Sequence, residues 1–174
     1  MQDNKMSVLA MGCHPDDIEF MMAGTLLLAG RSGARLHYFN LADGCLGSNL
    51  IDIEHITAKR ADEARQAAAD AKAEFHPSMA HDLHVFYEDG LLRMVAALVR
   101  EVDPDILLLP ALADYMEDHM NTARLGVTAA FAKGMSLYET VPPRSPSTKP
   151  VALYHAMPYG LADALGKSVE ADLY

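Results

Sequence analysis

Short apolar runs alternate along this chain with longer stretches in which apolar residues recur at helical spacing. Ser7–Met11 (SVLAM) predicts a buried strand, and Ile18–Gly30 predicts a helix that closes on glycine. Arg35–Ala42 predicts a second strand, stopped by Asp43-Gly44. The alanine-rich span Ile53–Ala73 carries Lys, Arg, Glu and Gln, all strong helix formers. His84–Tyr87 predicts a short third strand, and Leu91–Val102 an amphipathic helix with Pro104 just past its end. Ile106–Leu109 predicts a fourth strand, Asn121–Lys133 another helix and Val151–Met157 a fifth strand. Between the last two, Val141–Pro150 holds four prolines, which deny a ladder its donors, so a loop is expected.

Strands alternating with helices imply parallel strands joined by crossovers. The expected fold is an α/β three-layer αβα sandwich with a mostly parallel, Rossmann-like sheet, built as one domain over residues 1–174. Ligands of such sheets sit outside the carboxyl ends of the strands. Composition narrows the partners. A formal charge of −10 argues against nucleic acid, whose phosphates need a basic face. No apolar run reaches the roughly 18–20 residues of a membrane helix, so membrane insertion is not expected. Cys13 and Cys45 make no disulfide framework, and Met1–Lys5 leads straight into a strand, so a cytoplasmic setting is expected. The 11 methionines read as core filler.

The predicted topology sorts the polar residues. His14, Asp16 and Asp17 follow strand one, and Asp43 follows strand two. Glu88 and Asp89 follow the expected strand three, and Asp114, Asp118 and His119 follow strand four. All fall at carboxyl ends and should converge on one crevice. Two histidines and a carboxylate from two loops make a candidate zinc site, since catalytic zinc takes three protein ligands and keeps one position for water. His14 and Asp17 lie three apart at a helix entry, so they can face the same way. Asp16 then points toward the open position, where a carboxylate can act as general base. Plainer roles compete. Acidic residues suit the first turn of any helix, Asp118 could cap a helix beginning near Met120, and Cys13 could be a small half-buried residue rather than a thiolate ligand.

These residues match a family. The chain resembles the PIG-L/LmbE-like deacetylases, zinc-dependent hydrolases that remove an acetyl group from N-acetylglucosamine-type substrates. His14-Pro15-Asp16-Asp17-Ile18-Glu19 is similar to their first motif, and Ala23-Gly24-Thr25 to the small-residue start of their first helix. Asp118-His119-Met120-Asn121-Thr122 looks like their second motif. Arg60-x-x-Glu63-Ala64 and Asp89-Gly90-x-Leu92 resemble two elements between them. The likeness runs from about Ser7 to Gly160.

The resemblance implies zinc held by His14, Asp17 and His119, with Asp16 and Asp118 as catalytic carboxylates. Arg60 and Asp89 would contact a small amino-sugar substrate. Two departures from the family stand out. Met116 occupies the position where the family commonly carries a second histidine, and a thioether neither donates a proton nor stabilises an oxyanion. Tyr115 or His155 could stand in. The chain also stops at Asp172-Leu173-Tyr174, where the pattern predicts the start of another strand, so the C-terminal part usual in the family is expected to be missing.

Three alternatives stay open at this level. One is a metal-binding member with weakened or altered catalysis. Another is a Mg²⁺-dependent phosphoacceptor signalling domain, which would need a lysine after strand five, where Met157-Pro158 stands. The third replaces zinc by iron(II) or another divalent metal, because two histidines and one carboxylate also suit iron. Assembly into a homo-oligomer is left open.

Overall fold

A computed structural model of the protein describes residues 5–158. Five parallel strands form one sheet in the order β3-β2-β1-β4-β5: β1 Ser7–Gly12, β2 Arg35–Asn40, β3 Glu74–His76, β4 Ile106–Leu109 and β5 Ala152–His155. The helices are α1 Asp17–Met21, α2 Ala23–Arg31, α3 Ile53–Asp70, α4 Asp89–Val102 and α5 Glu117–Ala132. Alternation along the strands divides the core into two layers. Leu9, Met11, Phe39, Leu107 and Leu109 pack under α4 and α5. Val8, Ala10, Leu36, Tyr38 and Leu108 pack with Ile18, Leu26, Ala64 and Ala68 of α1, α2 and α3. This is the expected αβα sandwich. The strand order reverses at β1 and β4, so the crevice beyond their carboxyl ends is where a ligand is held in such sheets. Among the described residues, no helix is long and apolar enough to cross a membrane.

Several elements differ from expectation. The third strand is Glu74–His76, not His84–Tyr87. α3 ends three residues early because Lys72 takes φ 56°, and Ala73 N donates back to Ala68 O, a left-handed stop that turns the chain straight into the sheet. Residues 84–87 are a loop, within which Phe86 N donates to His84 O. Val85 is buried, but its carbonyl accepts from the Asn121 side chain rather than from a neighbouring strand. Glu88 and Asp89 therefore open α4 rather than end a strand.

The predicted helix Ile18–Gly30 is two helices, broken at buried Met22, whose φ of −128° is not helical. α5 begins at Glu117, so Asp118 and His119 lie in its first turn. Its N-cap is Met116, and Asp118 does not cap it. The expected C-terminal strand and the end of the family likeness at Gly160 lie outside the described residues.

Candidate metal centre and active site

The loop leaving β1 turns sharply into α1, and Gly12 makes the turn feasible. A Cβ there would meet Asn40 Oδ1 at 2.7 Å and Ile18 Cγ1 at 2.9 Å. Asp17, first residue of α1, folds back on this loop. Its Oδ2 accepts from His14 N at 2.8 Å and from Cys13 N at 3.0 Å. That same oxygen lies 3.7 Å from His14 Nδ1 and 3.4 Å from His119 Nε2, and the two ring nitrogens are 3.3 Å apart. Two imidazoles and one carboxylate, separated by 105 positions in sequence, thus present three donor atoms as a small triangle. A tetrahedral ion with ligand bonds of about 2.0–2.1 Å spaces its ligands about 3.3–3.4 Å apart. The triangle fits such an ion.

Each imidazole has its own carboxylate behind it. His14 Nε2 lies 3.2 Å from Asp118 Oδ2, which also accepts from Leu83 N at 2.7 Å. His119 Nδ1 lies 3.2 Å from Asp114 Oδ1. Both that nitrogen and Asp114 Oδ2 are buried without a well-angled hydrogen bond, so the second pair is a close charge contact rather than an ideal bond. A carboxylate on the far nitrogen fixes the tautomer that leaves the near nitrogen's lone pair for a metal. Asp118, expected among the catalytic residues, therefore stands on the far side of the His14 ring from the donor triangle.

Charge at the centre asks for a cation. Asp17, Asp114 and Asp118 are all buried around two histidines. Burial alone would pull the His14 pKa down, yet the bond to Asp17 and the contact with Cys13 push it up to about 11. Burial alone would raise Asp17, and its bond to His14 with the nearby His119 holds it below the usual carboxylate range. Cys13 Sγ lies 3.7 Å from His14 Nε2, and burial pushes its thiol pKa up. It is fully buried, and with His14 and Asp17 it offers donor atoms that lie within 4.8 Å of one another.

Asp16 is set apart from Asp17 by its backbone. Its φ of 135° is a conformation that costs a non-glycine residue about 1–3 kcal/mol, and such strain is found where a side chain must be aimed. The carboxylate is half-exposed and accepts from Arg60 Nη2 at 2.6 Å. Burial raises its pKa, against the opposing pull of Arg60. Arg60 reaches it from α3, with its Nη1 on Glu63 Oε2 at 2.8 Å. The turn after β2 lies directly on this side chain. Gly44 has φ 75°, and a Cβ there would meet Arg60 Cβ at 3.0 Å.

The remaining expected site residues are more scattered. Asp89 bonds Arg93 Nε at 2.6 Å, and Arg93 in turn donates to Glu139 O, so Asp89 is engaged along α4. Asp43 pairs with His81. Tyr115 is exposed, with its ring edge-on to His119 at 5.9 Å between centroids. His155 Nδ1 lies 2.7 Å from Pro110 O, beside the end of β4. Sequence reasoning gave Asp114 no role and missed Asp82, whose carboxylate ties the Gly44 and Leu46 amides. An acidic cluster near a histidine was the only available signal for Asp114.

Known proteins share the fold and, over most of the chain, the family. The family described as PIG-L, GlcNAc-PI de-N-acetylase, matches residues 9–130. Among solved structures, N,N'-diacetylchitobiose deacetylase from Pyrococcus horikoshii superposes with a TM-score of 0.78 at 17% identity, covering 90% of this chain and 62% of that one. A conserved protein from Thermus thermophilus gives 0.73 at 24% identity, covering 89% and 67%. The 4-carboxy-2-hydroxymuconate hydratase GalB from Pseudomonas putida gives 0.69 at 20% identity, covering 84% and 64%. At these identities the structures share the fold, and the family assignment rests on the match over residues 9–130. The chain belongs to the PIG-L family of GlcNAc-PI de-N-acetylases.

Proposed function

We propose that the protein is a zinc-dependent N-deacetylase acting on an N-acetylglucosamine-type amino-sugar conjugate. The observation that carries this is the triangle of His14 Nδ1, Asp17 Oδ2 and His119 Nε2, with Asp118 and Asp114 behind the two rings. Two nitrogens and one oxygen favour zinc over magnesium. Bound there, zinc supplies a Lewis acid for the amide carbonyl and lowers the pKa of a coordinated water to about 7.

The chain's own residues carry the proton chemistry. Asp16 takes a proton from the attacking water, for which a half-exposed carboxylate with a raised pKa is suited. Arg60 fixes which way that carboxylate faces. As the C–N bond breaks, the amine must be protonated, and Asp16 holds the proton it has just accepted. Asp118 and Asp114 hold the imidazoles and stay outside the proton path. Arg60 and Asp89 are the proposed sugar-side residues, Arg60 through whichever of its donors the substrate meets.

The test is amine release from a panel of N-acetylglucosaminides by the purified chain. Deacetylation should collapse in Asp16→Asn while bound metal stays. Retention of full activity in that variant rules out the assigned base.

Met116 favours one further reading. With a thioether where the family carries a histidine, amine protonation rests on Asp16 alone, whereas adding water across a C=C bond needs only the proton that Asp16 takes from the water, returned to the neighbouring carbon. A hydratase shares the fold. Turnover of an unsaturated carboxylic acid, without any amine release, would select that reading.

A further inference from the structure

A second group of metal-binding side chains lies at the other edge of the sheet, between β2 and β3. The parallel register sets His37 beside Glu74 and Phe39 beside His76, so all four face the same side. His37 Nδ1 is 3.0 Å from His76 Nε2 and 3.6 Å from Glu74 Oε2. One donor atom from each of the three residues lies within 4.8 Å of the other two. The rings are nearly parallel, with centroids 5.3 Å apart. Both imidazoles are buried, while Glu74 is exposed, so water and ions reach the group from the solvent side of the edge strand.

We infer that His37, His76 and Glu74 form a second divalent-metal site that clips the edge strand β3 to β2. The chemistry that would be recognised is a borderline transition ion such as zinc, cobalt or nickel, because two imidazoles and one carboxylate bind these ahead of magnesium or calcium. Spacings of 3.0 and 3.6 Å bracket the roughly 3.3 Å ligand separation of a tetrahedral ion, and an exposed glutamate adjusts by rotamer. Burial lowers the pKa of both rings, helped at His37 by its neighbour His76, which leaves them neutral with lone pairs to donate.

β3 is only three residues long and has one strand partner, so few ladder bonds hold it. A metal bridging it to β2 supplies the cross-strand tie that such a short edge lacks. The site is independent of the proposed catalysis, for it shares no residue with the centre at His14.

The competing arrangement is a plain hydrogen bond between two neutral imidazoles, and metal counting separates the two. Metal-stripped full-length protein is dialysed against Co²⁺ and the bound metal is counted per chain. The wild type should hold two equivalents, His76→Asn one, and His119→Ala one. In Glu74→Gln, an exposed change that spares the fold, affinity for the second equivalent should fall about 10-fold or more. One equivalent in the wild type, unchanged in His76→Asn, overturns the inference and leaves a hydrogen-bonded pair. A second equivalent that survives both His76→Asn and Glu74→Gln overturns it equally, because the ion then binds elsewhere. One equivalent in the wild type that survives His119→Ala and is lost in His76→Asn would instead fault the catalytic centre and leave this one standing.

Discussion

Arg60 on α3 donates to Asp16 across 44 positions of sequence, at 2.6 Å, and so fixes the one site carboxylate that no metal ligand constrains. Asp16 and Asp17 are adjacent in sequence and chemically identical, and their partners separate them. Asp17 turns inward to two backbone amides and two imidazoles, and Asp16 turns outward to a guanidinium. Arg60 is a positioning residue in this arrangement. Arg60→Ala should lower kcat about 10- to 100-fold with metal content and Tm little changed, and Arg60→Lys should recover part of the loss. A fall in bound metal that parallels the fall in kcat would show that Arg60 supports the fold of the site rather than Asp16.

The carboxylates behind the rings give a different signature. Asp118→Asn and Asp114→Asn keep the shape of the side chain but weaken the hold on each imidazole. Zinc affinity should fall about 10- to 100-fold in either variant, with activity recovered at saturating zinc. Asp118 also accepts from the Leu83 amide and Asp114 from the Met116 amide, so each loss should lower Tm modestly. Activity lost in Asp118→Asn and not restored by metal would place that residue in the chemistry itself.

Met116 offers a gain-of-function test. It is half-buried at the N-cap of α5, three residues before His119, and its amide already bonds Asp114 Oδ1 at 3.1 Å. Met116→His should raise amine release about 100-fold or more if a missing proton donor limits turnover. An unchanged rate would mean that Asp16, or another group such as Tyr115 or His155, already supplies the proton.

A stability prediction rests on the far end of α5. Buried Lys133 pairs with Asp103, which ends α4 in a left-handed conformation at φ 46°. Burial alone would raise the Asp103 pKa, but bonds with Lys133 and Ser147 hold it below the usual range. A depressed folded pKa means that the stabilisation is present above the unfolded value of about 3.9 and is lost as pH falls through the folded one. Asp103→Asn tolerates the same backbone and should be less stable near pH 7 by about 1–2 kcal/mol, the low figure reflecting a partly exposed carboxylate. The gap from wild type should close progressively as pH falls below about 4, in Tm measured across pH. Asp105 is depressed in the same way, so the wild-type acid limb will not vanish in the variant.

The fold was legible because apolar runs at β1, β2 and β4 are unambiguous, and strand-helix alternation permits few topologies. β3 was not. Glu74-Phe75-His76 is too short and too polar to stand out, and its position depends on a left-handed Lys72 that no residue type announces. His84–Tyr87 carries the stronger strand pattern, yet its carbonyl is satisfied by Asn121 from α5, a contact invisible in sequence. At the site, the donor types and their grouping were readable from two motifs. Which carboxylate backs which ring was not, since His14 with Asp118 and His119 with Asp114 are set by the approach of α5 to β1.

Amine release from an N-acetylglucosaminide by the purified chain, measured before chelation, after it and after zinc is restored, tests zinc dependence most directly. Release should stop when metal is removed and return with zinc, and His119→Ala should regain nothing. Release that continues unchanged through chelation would contradict zinc dependence.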